Sequence, residues 1–239
     1  MLPSVSGLGL NIAYNLIVCK AVFCYTTAYK HMDTITALFG NPVKAKLLRL
    51  FLFNETTPFL AKEVVVRARS ASSAVKKELN IFVKAEIIKK CNVSKEVQVI
   101  KGKKTIIKKI QGSGYVLNAK FPYLNPIKSL LTVTSLHADE TLAKRFTNSG
   151  KIKLLVAAGI FIQNWDSRVD LLIVGDDLNL AKIETVIKTI ESDIGKEIAY
   201  SAFETQDFEY RYGIHDRLVR DILDYQHVTL IDRLGIDIK

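Results

Sequence analysis

Apolar positions follow two different rhythms along the chain. From Pro42 to Phe82 they recur at helical spacing. Asn41 can cap a helix that Pro42 starts, and Leu47, Leu48, Leu50, Phe51 and Leu52 make it strongly apolar. Asn54 to Pro58 reads as a turn. Phe59 to Ala68 reads as a second helix with Leu60, Ala61, Val64 and Val65 turned inward. The pattern predicts a third helix from Ser70, with Ala71, Ala74, Val75, Leu79 and Phe82 on one face. Val- and Ile-rich stretches then predict short strands at Glu86–Cys91, Val97–Ile100 and Thr105–Ile110, with Lys101-Gly102-Lys103-Lys104 as a turn. Gly112-Ser113-Gly114 leads into a further apolar stretch, Tyr115 to Leu117.

Beyond this point the rhythm changes. Pro122 and Pro126 flank a short predicted linker helix, Asn125 to Leu131, and another helix is expected from Leu136 to Phe146 before Asn148-Ser149-Gly150. Ile152 to Ala158 and Val169 to Gly175 are unbroken apolar runs, expected as strands buried on both faces. Leu178 to Ile194 is amphipathic, with Ile183, Val186, Ile187, Ile190 and Ile194 on one side. Ile198 to Phe203 predicts a third strand, Thr205 to Asp224 a helix and His227 to Ile231 a last strand. Strands alternating with helices predict an α/β fold here.

Charge divides the chain at the same place. Between Met32 and Ser135 stand 19 Lys and Arg against 6 Asp and Glu, whereas from Leu136 onward there are 13 against 18. A basic half joined to an acidic half suggests two modules with different partners, the first suited to phosphates. Cys19, Cys24 and Cys91 form no Cys-x-x-Cys pair, which argues against a disulfide framework or structural zinc and for a reducing cytoplasm.

Residues 1–31 stand apart. The stretch from Leu8 to Tyr29 is broken by Asn11, Asn15 and Lys20, and its charges lie within and after it, which fits neither a transmembrane helix nor a secretory signal. We expect no membrane partner. Met32 directly precedes the patterned sequence and is an alternative translation start, so this extension is expected to be dispensable for folding. Gly7-x-Gly9 lacks the third glycine and preceding strand of a dinucleotide fingerprint.

On the third predicted helix, Ser72, Ser73, Lys76, Lys77 and Asn80 share the polar face, with Glu78 as the one nearby acid. Short hydroxyls and cations of this kind suit a major groove, and Lys101, Lys103 and Lys104 on a hairpin tip suit the DNA backbone. An ordinary solvated helix face remains the plainer alternative until the neighbouring hairpin is weighed.

The stretches "LFGNPVKAKLLRLFLFN", "AKEVVVRARSASSAVKKELNIFVKAEIIKK" and "GYVLNAKFPYLNPIKSLL" resemble prokaryotic MarR/ArsR-like winged helix-turn-helix regulators. More narrowly, the chain from Thr34 to Gly235 is similar to a subgroup in which that domain is fused to a minimal nucleotidyltransferase-like domain. The resemblance implies an α+β winged helix domain over residues 32–120 that binds double-stranded DNA, a helical linker over 121–150, and an α/β nucleotidyltransferase-like domain over 151–235. In that family the first strand ends in a Gly-Ser turn that cradles a triphosphate, the second carries Asp-x-Asp, and the third often adds a carboxylate that helps hold magnesium.

Here Gly159 matches the family glycine, but Ile160 stands in place of serine. Asp170 matches the second aspartate, but Arg168 stands in place of the first. Tyr200 and Ser201 lie where a third acid is expected, and Glu204 lies past the predicted strand end. A fixed guanidinium where a divalent ion must sit opposes metal catalysis. Arg168 is expected on the same side as Asp170, pairing with it or binding an anion. Asp166 is the one loop acid that could substitute.

The expectation is therefore a transcriptional regulator whose degenerate module, centred on Gly159, Arg168 and Asp170, senses a ligand or mediates pairing, without catalysis, metal or cofactor. A small-molecule or nucleotide ligand and a homodimer stay open. The alternatives are an active nucleotidyltransferase modifying a protein or RNA in a toxin–antitoxin setting, and an RNA-binding protein. Asp176-Asp177 reads as a cap for the next helix, and His137, His215 and His227 lack metal-ligand spacing. His215-Asp216, with Arg217 and Arg220, reads as a charged helix face, while Trp165 and Tyr115 are read as packing residues.

Overall fold

The computed structural model describes residues 34–236, apart from 102–103, 136–139 and 165–166, and gives no side-chain environment at 97–108 or 132–140. The extension over 1–31, Lys103, His137, Trp165 and Asp166 fall outside the described residues, as do the side chains of Lys101 and Lys104. The chain is mixed α+β and contains two sheets. It divides into two compact units, Met1–Pro42 and Val43–Lys239. The first contributes helix α1, Thr34–Phe39.

Helix α2 (Pro42–Leu52) opens the second unit and is buried over every residue from Leu47 to Leu52, including Arg49. A helix that is covered all round has elements against more than one side. Strand β1 (Phe59–Leu60) follows, then α3 (Ala61–Ala68) and α4 (Ser72–Lys84). The expected helix from Phe59 thus begins two residues later, because Phe59 and Leu60 pair with Tyr115 and Gly114. Glu63 fixes the start of α3 by accepting the Leu60 N–H at 2.8 Å. Its carboxylate also pairs with Lys95 at 3.0 Å. Ser70 does not begin α4. Its hydroxyl donates to the Ala68 carbonyl at 2.8 Å, serving the end of α3 instead.

Strands β2 (Ile88–Lys101) and β3 (Lys104–Leu117) form one long antiparallel hairpin rather than several short strands. Lys101 faces Lys104 across its end. Gly112-Ser113-Gly114 lies inside β3, where β1 adds to the sheet in the order β1-β3-β2. Phe59 anchors this corner. Its ring meets Phe51 edge-on at 6.0 Å, with Arg67 and Lys95 over it at 5.1 and 5.4 Å.

Helices α5 (Leu124–Ser135) and α6 (Glu140–Arg145) lead to the second sheet. Strands β4 (Lys151–Ala157), β5 (Leu171–Asp176), β6 (Tyr200–Glu204) and β7 (Val228–Asp232) lie in the order β6-β5-β4-β7. β5 and β6 run parallel, while β4 is antiparallel to both β5 and β7. Helix α7 (Leu180–Ile194) covers one face, and α8 (Thr205–Gly213) and α9 (Arg217–Leu223) the other.

Alternation along the strands explains why both runs are unbroken. Leu155, Ala157, Leu171 and Ile173 pack with Phe146, Ile183, Ile187 and Ile190. Leu154, Val156, Leu172 and Val174 pack with Phe208, Val219 and Ile222. Side chains alternate with period two, so a sheet covered on both faces needs apolar residues at every position.

Three expected boundaries change for local reasons. Asn179, not Asp176 or Asp177, caps α7, accepting the Lys182 N–H at 3.0 Å. The Thr205–Asp224 stretch breaks in two at His215, whose φ of 56° leaves the helical region. Asp216 then caps α9, accepting from the N–H groups of Leu218 and Val219 at 2.9 and 3.4 Å. It also lies 3.6 Å from Arg211, while Arg217 and Arg220 pair along α9 with Asp221 and Asp224.

The two sheets are joined directly as well as through α5 and α6. Lys46 donates to the Ser192 hydroxyl at 2.8 Å and pairs with Asp193 at 3.3 Å. Arg49 donates to the Asp193 carbonyl at 3.1 Å. The Asn54 amide donates to the carbonyls of Leu50 and Gly195 at 2.7 and 2.8 Å. Arg67 pairs with Glu197. Gly195 ends α7 with φ 84°, and a β-carbon there would lie 2.5 Å from the backbone of Arg49 and Leu50. The backbones of α2 and of the α7 end thus touch.

Candidate nucleic-acid interface and the pocket at the sheet end

Helix α4 buries Val75, Leu79 and Phe82 and leaves Ser72, Ser73, Lys76, Lys77 and Asn80 exposed on the opposite side. All five residues singled out from the sequence share this open face. Glu78 does not join them. It lies one helical turn from both Val75 and Phe82, is 4% exposed, and turns inward toward Lys44 at 3.8 Å. The exposed face therefore carries no carboxylate, and Lys84 extends its charge toward the helix end.

The sequence reading missed Arg69. It is exposed in the turn between α3 and α4 with a left-handed φ of 45°. Its signal was its place just before the polar face of the following helix. Lys89, Lys90 and Lys109 are exposed along the hairpin, whose end carries Lys101 and Lys104.

At the end of β4 the chain turns through a short 3-10 helix, Gly159–Ile162. Asp170 sits against this turn. One carboxylate oxygen accepts the Ile160 N–H at 2.8 Å and the other the Ala199 N–H at 2.9 Å. A β-carbon on Gly159, where φ is 52°, would lie 2.0 Å from the Asp170 carboxylate. Gly159 and Asp170 are therefore brought together as expected, but their contact is structural. Burial pushes the Asp170 carboxyl above its ordinary range, and the two N–H groups hold it back.

Arg168 departs from expectation. It precedes β5, which begins at Leu171, so strand alternation does not govern its direction. Its guanidinium turns to Asp221 at 3.3 Å and does not pair with Asp170.

Among the described residues, the side chains present do not fit a divalent ion of the kind the family resemblance implies. Both Asp170 oxygens are held by backbone donors, and among the described residues no three His, Cys, Asp or Glu side chains stand together as a ligand set. Ser201 is half-buried, and Glu204 is the last residue of β6 rather than beyond it. It accepts the Leu178 N–H at 3.1 Å. Asp176 accepts the Thr205 hydroxyl at 2.5 Å and pairs with Lys153 at 2.8 Å, which holds its carboxyl below the usual range. His215 and His227 each stand with a ring nitrogen near a local carbonyl, of Tyr212 and Tyr225. Tyr115 is half-buried in β3, opposite Phe59.

Beside the Gly159 turn lies a cavity of about 360 Å³. It is lined by Ala158, Asn164, Ser167, Arg168, Arg217, Asp221, Ile222, Tyr225 and Gln226. Arg168 and Arg217 approach the same Asp221 oxygen, at 3.3 and 4.0 Å. Arg217, Asp221, Tyr225 and Gln226 were not expected here. The Arg217–Asp221 spacing of four on a helix was legible, but the approach of Arg168 was not.

Among the described residues no helix is long and apolar enough to cross a membrane. The chain matches no family model, no curated protein and no solved structure.

Proposed function

We propose that this protein is a DNA-binding transcriptional regulator, with Val43–Leu117 as a winged helix-turn-helix and the second sheet as a non-catalytic sensing or pairing module. The observation that carries the reading is the exposed face of α4. Ser72, Ser73, Lys76, Lys77 and Asn80 all project from a helix anchored by Val75, Leu79 and Phe82, with Glu78 withdrawn. A helix that presents short polar and cationic side chains, followed by a lysine-bearing hairpin, matches the docking plan of helix-turn-helix proteins. The helix reads the groove and the hairpin follows the backbone.

The nucleotidyltransferase alternative needs carboxylates free to hold ions between phosphate and nucleophile. Asp170 spends both oxygens on backbone N–H groups. Selection of binding sequences from a random duplex library by the purified chain tests the proposal. Enrichment of a defined motif is expected, and enrichment of none would overturn it. Release of pyrophosphate from any nucleoside triphosphate with magnesium, lost in Asp170→Asn, would restore the enzyme reading.

A further inference from the structure

We propose that the cavity beside the Gly159 turn binds a small organic anion, a phosphate or carboxylate carried on a flat ring, without metal. This rests on the reading of the second sheet as a sensing module and names the chemistry of its ligand.

Charge is the first argument. Arg168 and Arg217 share the single carboxylate of Asp221, at 3.3 and 4.0 Å. Among the described residues the lining therefore keeps a net positive charge of one. Both arginine side chains are largely exposed, 67% and 79%, so each retains donors open to solvent. A guanidinium offers five N–H donors in a planar fork that fits the paired oxygens of a carboxylate or phosphate. Asp221 then acts as an internal substitute for the ligand's head group, and an incoming anion competes with it.

The ring is argued from the rest of the lining. Ile222 is buried and closes the cavity with an apolar surface. Tyr225 is 68% exposed and offers an aromatic face that stacks on no other ring among the described residues, with the Gln226 amide beside it in sequence. Asn164, Ser167, Arg168, Arg217, Asp221 and Gln226 make the lining more polar than that of most small-ligand sites, which suits a charged ligand, and about 360 Å³ falls at the small end of their range. Two fixed guanidiniums in the lining can neutralise the anion without a metal ion.

Calorimetry on the full chain in EDTA tests this without DNA, so its failure is separate from failure of the regulator reading. The probes are adenosine 5′-monophosphate, benzoate, inorganic phosphate and neutral adenosine. We expect at least one of the two ring-bearing anions to bind and adenosine not to bind. The nucleotide and benzoate arms distinguish phosphate from carboxylate as the preferred head. Arg168→Gln and Arg217→Gln should each weaken binding about tenfold, the effect of removing one charge-assisted hydrogen bond. Asp221→Asn should tighten it by removing the competitor. Tyr225→Ala should weaken the ring-bearing anion while leaving any inorganic phosphate binding unchanged. Thermal melting of the same variants verifies that they fold. Binding that survives in the Arg168→Gln/Arg217→Gln double variant, that appears only with magnesium, or that is absent for both ring-bearing anions at millimolar concentration overturns the proposal.

Discussion

The Asp170 carboxylate lies so close to the backbone of Gly159 that a β-carbon on the glycine would sit 2.0 Å from it. The carboxylate binds the Ile160 and Ala199 N–H groups and so ties the turn after β4 to the strand entry of β6. Asp170→Ala leaves the buried Ile160 N–H without a partner, at a cost of about 1–3 kcal/mol, whereas the exposed Ala199 N–H can turn to water. We expect Asp170→Ala to lower stability by about 1–3 kcal/mol in urea denaturation. Asp170→Asn should cost less but not nothing, since its amide NH₂ must face one of the same donors. A parent-like midpoint for Asp170→Asn would refute the structural role.

The pH dependence of stability should carry two opposite signatures. Burial, the largest influence, raises the Asp170 carboxyl despite its two N–H partners. Its folded form therefore holds a proton more tightly than the unfolded chain does. This contribution is present below the ordinary carboxylate range and is lost as pH rises through the raised value. Asp176 is lowered, first by its contact with Lys153 and then by Thr205. Its contribution is present above the ordinary range and is lost as pH falls through the lowered value. Urea midpoints followed against pH should show a flatter acid limb in Asp176→Asn. Asp170→Asn should flatten the decline on the neutral side. Profiles parallel to the parent's in both variants would contradict these assignments.

For DNA, replacing Lys76 and Lys77 together with Ala should weaken duplex binding. It should also reduce the slope of log affinity against log salt by about one unit for each phosphate that the variant no longer neutralises. Arg69→Gln should act in the same direction if its guanidinium meets a phosphate from the turn before α4. Fluorescence anisotropy across a salt series reads both effects. An unchanged slope in the double lysine variant would remove α4 from the interface.

Gly195→Ala addresses the junction of the sheets. The new methyl group meets the backbone of Arg49 and Leu50 at 2.5 Å, and the residue must also keep φ at 84°. Backbone on both sides leaves little room to yield. We expect a destabilisation of about 2–4 kcal/mol from overpacking and left-handed strain together. Urea melting with full-length protein measures it, and parent-like stability would mean that the junction relaxes freely.

Much of the fold was legible because its signals are local or periodic. The unbroken runs in β4 and β5 announced a sheet covered on both faces, and the isoleucines of α7 announced which side covers it. What escaped depends on partners distant in sequence. Phe59 and Leu60 look helical until Tyr115 and Gly114 arrive to pair with them. Glu78 reads as a surface acid until Lys44 is placed beside it. For the candidate sites, the polar face of α4 needed only helical spacing, whereas Gly159 and Asp170 were singled out through the family resemblance and not by any local pattern. The partner of Arg168 was not, because Asp221 stands 53 residues away and on a different element. The all-round apolar character of α2 was visible, but it was read as one strong helix rather than as a helix with neighbours on two sides.

The direct contacts of α2 and α3 with the end of α7 have an electrical consequence. From Val43 onward, the described residues of the basic stretch and of the acidic stretch are held together by backbone contact at Gly195 and by the Asn54 amide. Their opposite charges therefore form a permanent dipole moment fixed in the body of the molecule. In the field of a polyanion such a body feels a torque as well as a pull, and it turns its basic end forward before contact. Orientation during approach raises the fraction of collisions that are productive, and added salt shortens the distance over which it acts.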